Sequence, residues 1–176
     1  MGDYYFEDFK VGDRFQSRGK TITESEILEF ALKYDPQPFH MDVEAAKAGP
    51  YGGLIASGFQ TLALSFRMFF QEGVLTTAGA GSPGMEELRW LKPVRPGDAL
   101  SFQSTVLEQT PSARQANRGT VRFLWDLRNQ KGEVVLSMGG RQHFTRRTAA
   151  GTAAASTSAA PIASTAPAGS DTTASP

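Results

Sequence analysis

The sequence contains no cysteine and only two histidines, His40 and His143. Without cysteine, the chain cannot form disulfides, thiolate metal sites or cysteine nucleophiles. Two histidines are too few for a multi-histidine metal site, so we expect no bound metal. The 18 basic residues cancel the 18 acidic ones. A chain without net charge has no long-range field to attract nucleic acid or an anionic membrane, and we expect neither as a partner.

Long hydrophobic runs are also missing. The longest apolar-rich run, residues 59–70, includes Gln60 and Arg67 and is too short to span a bilayer. The first ten residues are acidic and aromatic, and they lack the basic start and apolar run of a signal peptide. These features predict a soluble, cytoplasmic protein.

The composition changes abruptly after Arg147. Residues 148–176 are almost entirely Ala, Thr, Ser, Pro and Gly, with too little apolar bulk to offset the entropy lost on ordering them. We therefore predict one domain over residues 1–147, a size sufficient for a sizeable core, and a disordered tail over 148–176.

The segment 34–42 places a carboxylate, Asp35, five residues before a histidine, His40. Pro36 and Pro38 stiffen the chain between them and disfavour helical backbone at the residues they follow, so an extended loop is predicted. An Asp and a His held in this way can share one water, as general acid–base chemistry requires. The alternative from the residues alone is an Asp that ends a helix and a His that satisfies local hydrogen bonds.

Local patterns predict an α+β domain. Thr23 and Glu26 form a capping box before a helix that Pro36 ends, and Asp42 is positioned to cap a second, short helix. Residues 59–70 have helical spacing and are apolar nearly all round, which predicts a helix wrapped by the rest of the domain. Strands are predicted at 11–21, 86–91, 99–108, 121–127 and 134–144, with a hairpin turn at 129–132.

The run from residue 30 to residue 62 resembles the signature of the MaoC-like hydratases, the (R)-specific enoyl-CoA hydratase family. The matching residues are Asp35, Pro38, His40, Asp42, Ala46, Gly53, Ile55, Ala56 and Gly58. Residues 88–98 resemble the strand and Pro-Val…Gly-Asp turn of the same family. The resemblance covers about residues 5 to 146.

This resemblance implies a hot-dog fold, in which a curled antiparallel sheet surrounds a long central helix. It also implies hydration of a 2-enoyl-CoA to an (R)-3-hydroxyacyl-CoA, with the acyl-CoA thioester as substrate and no further cofactor. The family joins two sheets edge to edge, so a homodimer is expected. The cluster Arg89, Lys92 and Arg95 is a candidate partner for the CoA phosphates, although alternating strand charges more often form a solvated face.

The roles implied for individual residues follow from the same resemblance. Asp35 and His40 are the candidate acid–base pair, and the backbone amide of Gly58 is the candidate donor to the thioester oxygen. Glycine at this position lets the thioester approach the backbone closely. Candidate substrate-binding residues are Gln37, Pro38, Gly53, Ser57 and Ser65. For Gly53, a simple turn after Pro50 is the competing interpretation.

Three departures from the family pattern bear on this assignment. Gln37 stands in place of the usual Asn, Ser57 in place of a His, and Phe66 where some members have a serine, with Ser65 beside it. Two alternatives therefore remain: a hot-dog acyl-CoA thioesterase, which shares the fold and the oxyanion helix, and a non-catalytic acyl-CoA-binding module. Fold alone does not separate the three.

Overall fold

The computed structural model describes residues 3–75 and 78–147. The predicted tail, 148–176, lies outside the described residues. A short 3-10 helix, Phe6–Asp8, precedes the regular elements. The helices are α1 (Glu24–Tyr34), α2 (Pro38–Met41), α3 (Val43–Ala48) and α4 (Gly58–Gln71). The strands are β1 (Arg14–Gln16), β2 (Lys20–Thr21), β3 (Gly84–Trp90), β4 (Ala99–Pro111), β5 (Arg118–Arg128) and β6 (Val134–Thr145).

The sheet is antiparallel with the strand order β1-β4-β5-β6-β3, and β2 pairs with the start of β4. The predicted hairpin joins β5 to β6, and the Asn129 N–H donates to the Glu133 carbonyl across it. The single first strand predicted over 11–21 is wrong, because the chain divides into β1 and β2. Between them the Ser17 hydroxyl accepts from the Phe102 N–H at 2.9 Å, so a side chain replaces the backbone acceptor of a continuous ladder.

Helix α4 packs its buried face against the middle of the sheet. The Phe69 ring lies 5.3 Å from Phe102, 5.5 Å from Phe123 and 4.8 Å from Trp125, measured between centroids. Aromatic pairs at these separations add stability beyond their buried area. Trp125 is 1% exposed and belongs to the core.

The opposite side of α4 differs from the prediction of a helix wrapped all round. Phe59 is 62% and Phe70 57% exposed, with Phe66 also exposed between them. The three side chains recur at spacings of seven and four residues, so they share one face of the helix. The described part of the chain leaves this face open to solvent.

The predicted helix caps are confirmed. The Thr23 hydroxyl accepts from the Glu26 N–H at 3.2 Å, while the Glu26 carboxylate accepts from the Thr23 N–H at 2.9 Å. Asp42 caps α3 by accepting from the N–H groups of Glu44 and Ala45, each at 2.9 Å. These bonds satisfy amides that have no partner within a helix.

The predicted extended loop between Asp35 and His40 is wrong in its second half, where Pro38 starts the single turn of α2. Gln37 is extended, as expected before a proline. Proline is well suited to the first helical position because its ring presets φ and its missing N–H would be unpaired there. This turn brings His40 back towards Asp35.

None of the helices in residues 3–75 and 78–147 has the length and apolar character needed to cross a membrane.

Candidate active site

Asp35 and His40 meet at the junction between α1 and α2. Asp35 is the first residue after α1, and its N–H still donates to the Ala31 carbonyl at 3.0 Å. His40 lies on α2 and is only 4% exposed. The His40 Nε2 atom is 3.4 Å from the Asp35 Oδ2 atom. The two side chains predicted to work together are therefore adjacent in a largely buried place.

The other ring nitrogen of His40 determines which tautomer is present. Nδ1 lies 2.8 Å from the Ile55 carbonyl oxygen. A carbonyl only accepts, so Nδ1 must carry the hydrogen. In the neutral ring, Nε2 then holds a free lone pair that faces Asp35. This is the arrangement that a proton-accepting imidazole needs.

The Asp35 carboxylate has a hydrogen-bond donor on each oxygen. Oδ1 accepts from the Gln37 amide at 2.8 Å, and Oδ2 accepts from the Ser57 hydroxyl at 2.7 Å. Burial alone would raise the pKa of this carboxyl group. The bonds from Ser57 and Gln37, with a contribution from His40 when its ring is protonated, outweigh burial and lower the pKa below its ordinary value. Asp35 is therefore held in its ionised form.

Helix α4 starts beside this pair. Ser57 is its N-cap, and the Ser57 hydroxyl accepts from the Phe59 N–H at 3.2 Å. The Gly58 N–H, at the first helical position, has no acceptor within a helix. A free N–H at the positive end of the helix dipole is suited to stabilise an oxyanion.

A tryptophan explains why residue 58 is a glycine. The Trp90 indole N–H donates to the Gly58 carbonyl at 2.9 Å. A Cβ atom at residue 58 would lie 2.6 Å from the Trp90 ring, which is closer than packed carbon atoms approach. Glycine here accommodates a side chain of the protein itself, and close approach of a thioester remains a prediction.

The remaining predicted residues have different positions. Gly53 has a φ of +146°, in the region that favours glycine, and its N–H donates to the Ala46 carbonyl at 2.9 Å. This geometry favours the turn interpretation for Gly53. The Ser65 hydroxyl donates to the Leu62 carbonyl one turn earlier in α4, at 2.7 Å. The structure thus brings Asp35, Gln37, His40, Ser57 and Gly58 together, while Ser65 is engaged with its own helix.

The candidate phosphate cluster is largely occupied by internal partners. Lys92 forms an ion pair with Glu133, and Arg95 donates to the Tyr51 carbonyl. Arg89 is exposed on β3. Two of the three cations are therefore held by other residues of the domain, and Arg89 is the one most available to a ligand.

A cavity of about 470 Å³ lies at the far end of α4. Phe66 and Phe70 border it from the helix, and Met85 and Trp125 border it from the sheet. Asp35 and His40 do not line it. Its lining is mostly apolar, which suits a hydrocarbon group better than a polar one.

Sequence reasoning missed the roles of two residues at the site. Ile55 holds His40 through a main-chain carbonyl, so its side chain carries no signal of this role. Trp90 lies 32 residues from Gly58, and nothing near it in the sequence indicates Gly58 as its partner.

Among residues 3–75 and 78–147, no three His, Asp or Glu side chains lie close enough together to bind a metal ion.

Comparison with known proteins decides the family. The family model described as MaoC like domain matches residues 8–124. The chain belongs to this family. A protein of Bacillus subtilis named YdeM is 34% identical over 125 residues, which cover 71% of this chain and 87% of that protein.

Two further relatives carry functional names. The 3-hydroxyacyl-thioester dehydratase Z of Mycobacterium tuberculosis is 39% identical over 102 residues, or 56% of this chain and 64% of that protein. The (R)-specific enoyl-CoA hydratase of Rhodospirillum rubrum is 34% identical over 116 residues, or 63% of this chain and 75% of that protein. Such names support a hydratase or dehydratase, which is a lyase-type enzyme, for this MaoC-like chain.

Solved structures agree on the architecture. The crystal structure of a MaoC-like dehydratase from Rhodospirillum rubrum matches with a TM-score of 0.78 and 41% identity, covering 82% of this chain and 99% of that one. A Mycobacterium tuberculosis protein with a double hotdog fold matches with a TM-score of 0.65 at 16% identity, covering 82% of this chain and 45% of that one. The predicted hot-dog fold is confirmed.

Proposed function

We propose that this MaoC-like protein catalyses the reversible hydration of a 2-enoyl-CoA to an (R)-3-hydroxyacyl-CoA. The observation that carries the proposal is the separation of 3.4 Å between His40 Nε2 and Asp35 Oδ2. A neutral Nε2 and an ionised carboxylate cannot hydrogen-bond to each other. A water molecule has two hydrogens and can donate one to each.

In this mechanism, Asp35 orients the water and His40 Nε2 removes one of its protons. The water oxygen forms a bond to the β-carbon of the enoyl group, and the electron pair of the double bond moves towards the thioester carbonyl. The Nε2–H group then returns the proton to the α-carbon. One water is added, and His40 ends as it began.

The negative charge that develops on the thioester oxygen needs a donor, and Gly58 N–H is the group we assign to it. Loss of one such donor typically costs roughly a hundredfold or more in turnover. The reaction involves no change of redox state and uses only an imidazole, a carboxylate and an amide. We therefore propose that it proceeds without a cofactor.

We further propose that the protein is a homodimer. Strand β3 ends the sheet, with β6 on one side, and the described part of the chain offers no strand on its other side. Exposed Met85 and Trp90 on this strand and exposed Phe59, Phe66 and Phe70 on α4 together expose a large apolar area. Areas of this kind usually mark an interface, and a second copy would extend the sheet and cover them.

The assay that tests the function uses purified protein with crotonyl-CoA. It follows the absorbance of the conjugated thioester while a thiol reagent reports free CoA. Loss of absorbance without thiol release is expected. Release of thiol would assign a thioesterase. No change in either signal, with crotonyl-CoA or with longer and branched enoyl-CoA substrates, would favour a binding module.

The reverse reaction tests the stereochemistry. Separate incubation with (R)- and (S)-3-hydroxybutyryl-CoA should generate the enoyl absorbance from the (R) enantiomer. Equal rates from both enantiomers, or dehydration of the (S) form alone, would contradict the proposal.

A further inference from the structure

Residues 55 to 58 contact both members of the Asp35–His40 pair. The Ile55 carbonyl binds His40 Nδ1, the Ser57 hydroxyl binds Asp35 Oδ2, and Gly58 begins helix α4. The segment is itself anchored, because the Ile55 N–H donates to the Phe39 carbonyl and the Ala56 N–H donates to the Val94 carbonyl. Residues 55 to 58 therefore fix the positions of the imidazole, the carboxylate and the start of α4 relative to one another.

Ser57 connects two of these groups, because its single hydroxyl makes two hydrogen bonds. It donates to Asp35 Oδ2 at 2.7 Å and accepts from the Phe59 N–H at 3.2 Å. The residue is 1% exposed, so water cannot readily replace the hydroxyl if it is removed. The carboxylate oxygen that faces His40 is thus connected through one oxygen atom to the first turn of α4.

We propose that Ser57 is a positioning residue that ties the Asp35 carboxylate to the N-terminus of α4, and so fixes the distance between the acid–base pair and the Gly58 donor. This assignment replaces the expectation that Ser57 binds substrate. It also gives a reason why this chain tolerates serine where the family pattern has histidine. Its kinetic consequence rests on the proposed hydratase function, whereas the link between Ser57 and Asp35 does not.

The test compares Ser57→Ala and Ser57→Gly with the parent protein. Both variants lose the hydroxyl, but glycine is nearly as good as serine as an N-cap, so Ser57→Gly separates the bond to Asp35 from the cap of α4. The matched control is Thr23→Ala, which removes a cap hydroxyl that also accepts at 3.2 Å, from Glu26 N–H on α1, without touching Asp35. Ser57→Thr keeps a hydroxyl and should retain the parent behaviour.

The first readout is independent of activity. The carboxyl carbon of Asp35 is titrated by NMR, with its resonance assigned by its absence in Asp35→Asn. We expect Asp35 to titrate at higher pH in Ser57→Ala and Ser57→Gly, because a donor to the ionised form is lost. An unmoved titration in both variants, or an equal movement in Thr23→Ala, would overturn the proposal.

The second readout is the rate of hydration. Both hydroxyl-free variants should lose roughly 10- to 100-fold in kcat/KM, the size expected for one bond to a charged group. Parent-like kinetics in both variants would refute the positioning role. If the parent protein hydrates no enoyl-CoA while the Asp35 titration moves, the proposed function fails and the Ser57–Asp35 link stands.

Discussion

At the scale of single residues, the role of each group at the site follows from the hydrogen bonds that it can donate or accept. The Ile55 carbonyl places a hydrogen of His40 on Nδ1, so that in the neutral ring Nε2 is an acceptor. Donors from Gln37 and Ser57 keep Asp35 ionised. An ionised carboxylate with a lowered pKa is a weak base, so the imidazole is the better proton acceptor and Asp35 the better orienting group.

Removal of either member of the pair should stop hydration. Asp35→Asn and His40→Ala should each lose at least about a hundredfold in kcat, the range that positioned acid–base groups contribute, with an unchanged circular dichroism spectrum. Matched controls are Asp13→Asn, whose carboxylate binds the Lys10 N–H, and His143→Ala, whose ring binds Thr120 on the sheet. Most of the activity surviving in either site variant would contradict the assignment.

The Gln37 amide predicts a pH effect of defined sign. Because its bond to Oδ1 helps to lower the pKa of Asp35, Gln37→Ala should raise that pKa. The carboxyl carbon of Asp35, followed by NMR, should then titrate at a higher pH than in the parent protein. Gln130→Ala removes a similar amide-to-carboxylate bond, to Asp98 at 2.9 Å, and should leave the Asp35 titration unchanged. Titration of Asp35 at a lower pH in Gln37→Ala would contradict this prediction.

At the scale of elements, the start of α4 is shaped by β3 as well as by its own cap. Trp90 at the end of β3 occupies the space beside Gly58 and bonds to its carbonyl. The T-shaped contact between Phe59 and Trp90, with centroids 5.9 Å apart, extends the same packing. The orientation of the Gly58 N–H thus depends on a strand more than 30 residues away in sequence.

Gly58→Ala should therefore cost stability as well as activity. Its Cβ would meet the Trp90 ring at 2.6 Å, and overpacking of this kind costs about 1–3 kcal/mol of unfolding free energy. The cost, measured by urea denaturation, should shrink in a Trp90→Ala background. Gly19→Ala, with no atom nearer than 4.0 Å to its Cβ, serves as the control. Additive effects of Gly58→Ala and Trp90→Ala would contradict the clash.

At the scale of the whole molecule, the open face of α4 and the open edge of β3 adjoin the candidate site. Phe59 and Trp90 are part of this exposed surface and also border the candidate site, because they flank the start of α4. A homodimer formed through this surface would shield the Gly58 region from water, and exclusion of water strengthens electrostatic interactions. Assembly and activity are therefore expected to depend on each other.

A charge on this surface should separate the protomers. Met85→Glu and Phe70→Glu should each lower the mass measured by light scattering to that of a monomer, because an unpaired carboxylate is costly to bury at an interface. Leu32→Glu, a change at an even more exposed apolar residue on α1, should leave the mass unchanged. A monomeric parent protein would refute the proposed assembly.

Much of the fold could be predicted because its signals are local. The capping box of α1, the cap of α3 and the β5–β6 hairpin depend on residues within four positions of each other, and the structure bears them out. The two wrong predictions also have local causes. Ser17 interrupts the strand predicted over 11–21, and Pro38 starts a helical turn in the loop predicted to be extended. The exposed face of α4 could not be predicted, because an apolar stripe looks the same whether it faces the core or a partner.

The same distinction between local signals and long-range packing applies to the candidate site. The sequence by itself determined that Asp35 and His40 are neighbours, since only four residues separate them and two of these are prolines. It also placed Gly58 at the start of a long helix. Only the tertiary structure decided what holds them: Ile55 is 15 residues from His40, Ser57 is 22 from Asp35 and Trp90 is 32 from Gly58. Contacts over such separations depend on how elements pack, and no spacing along the chain encodes them.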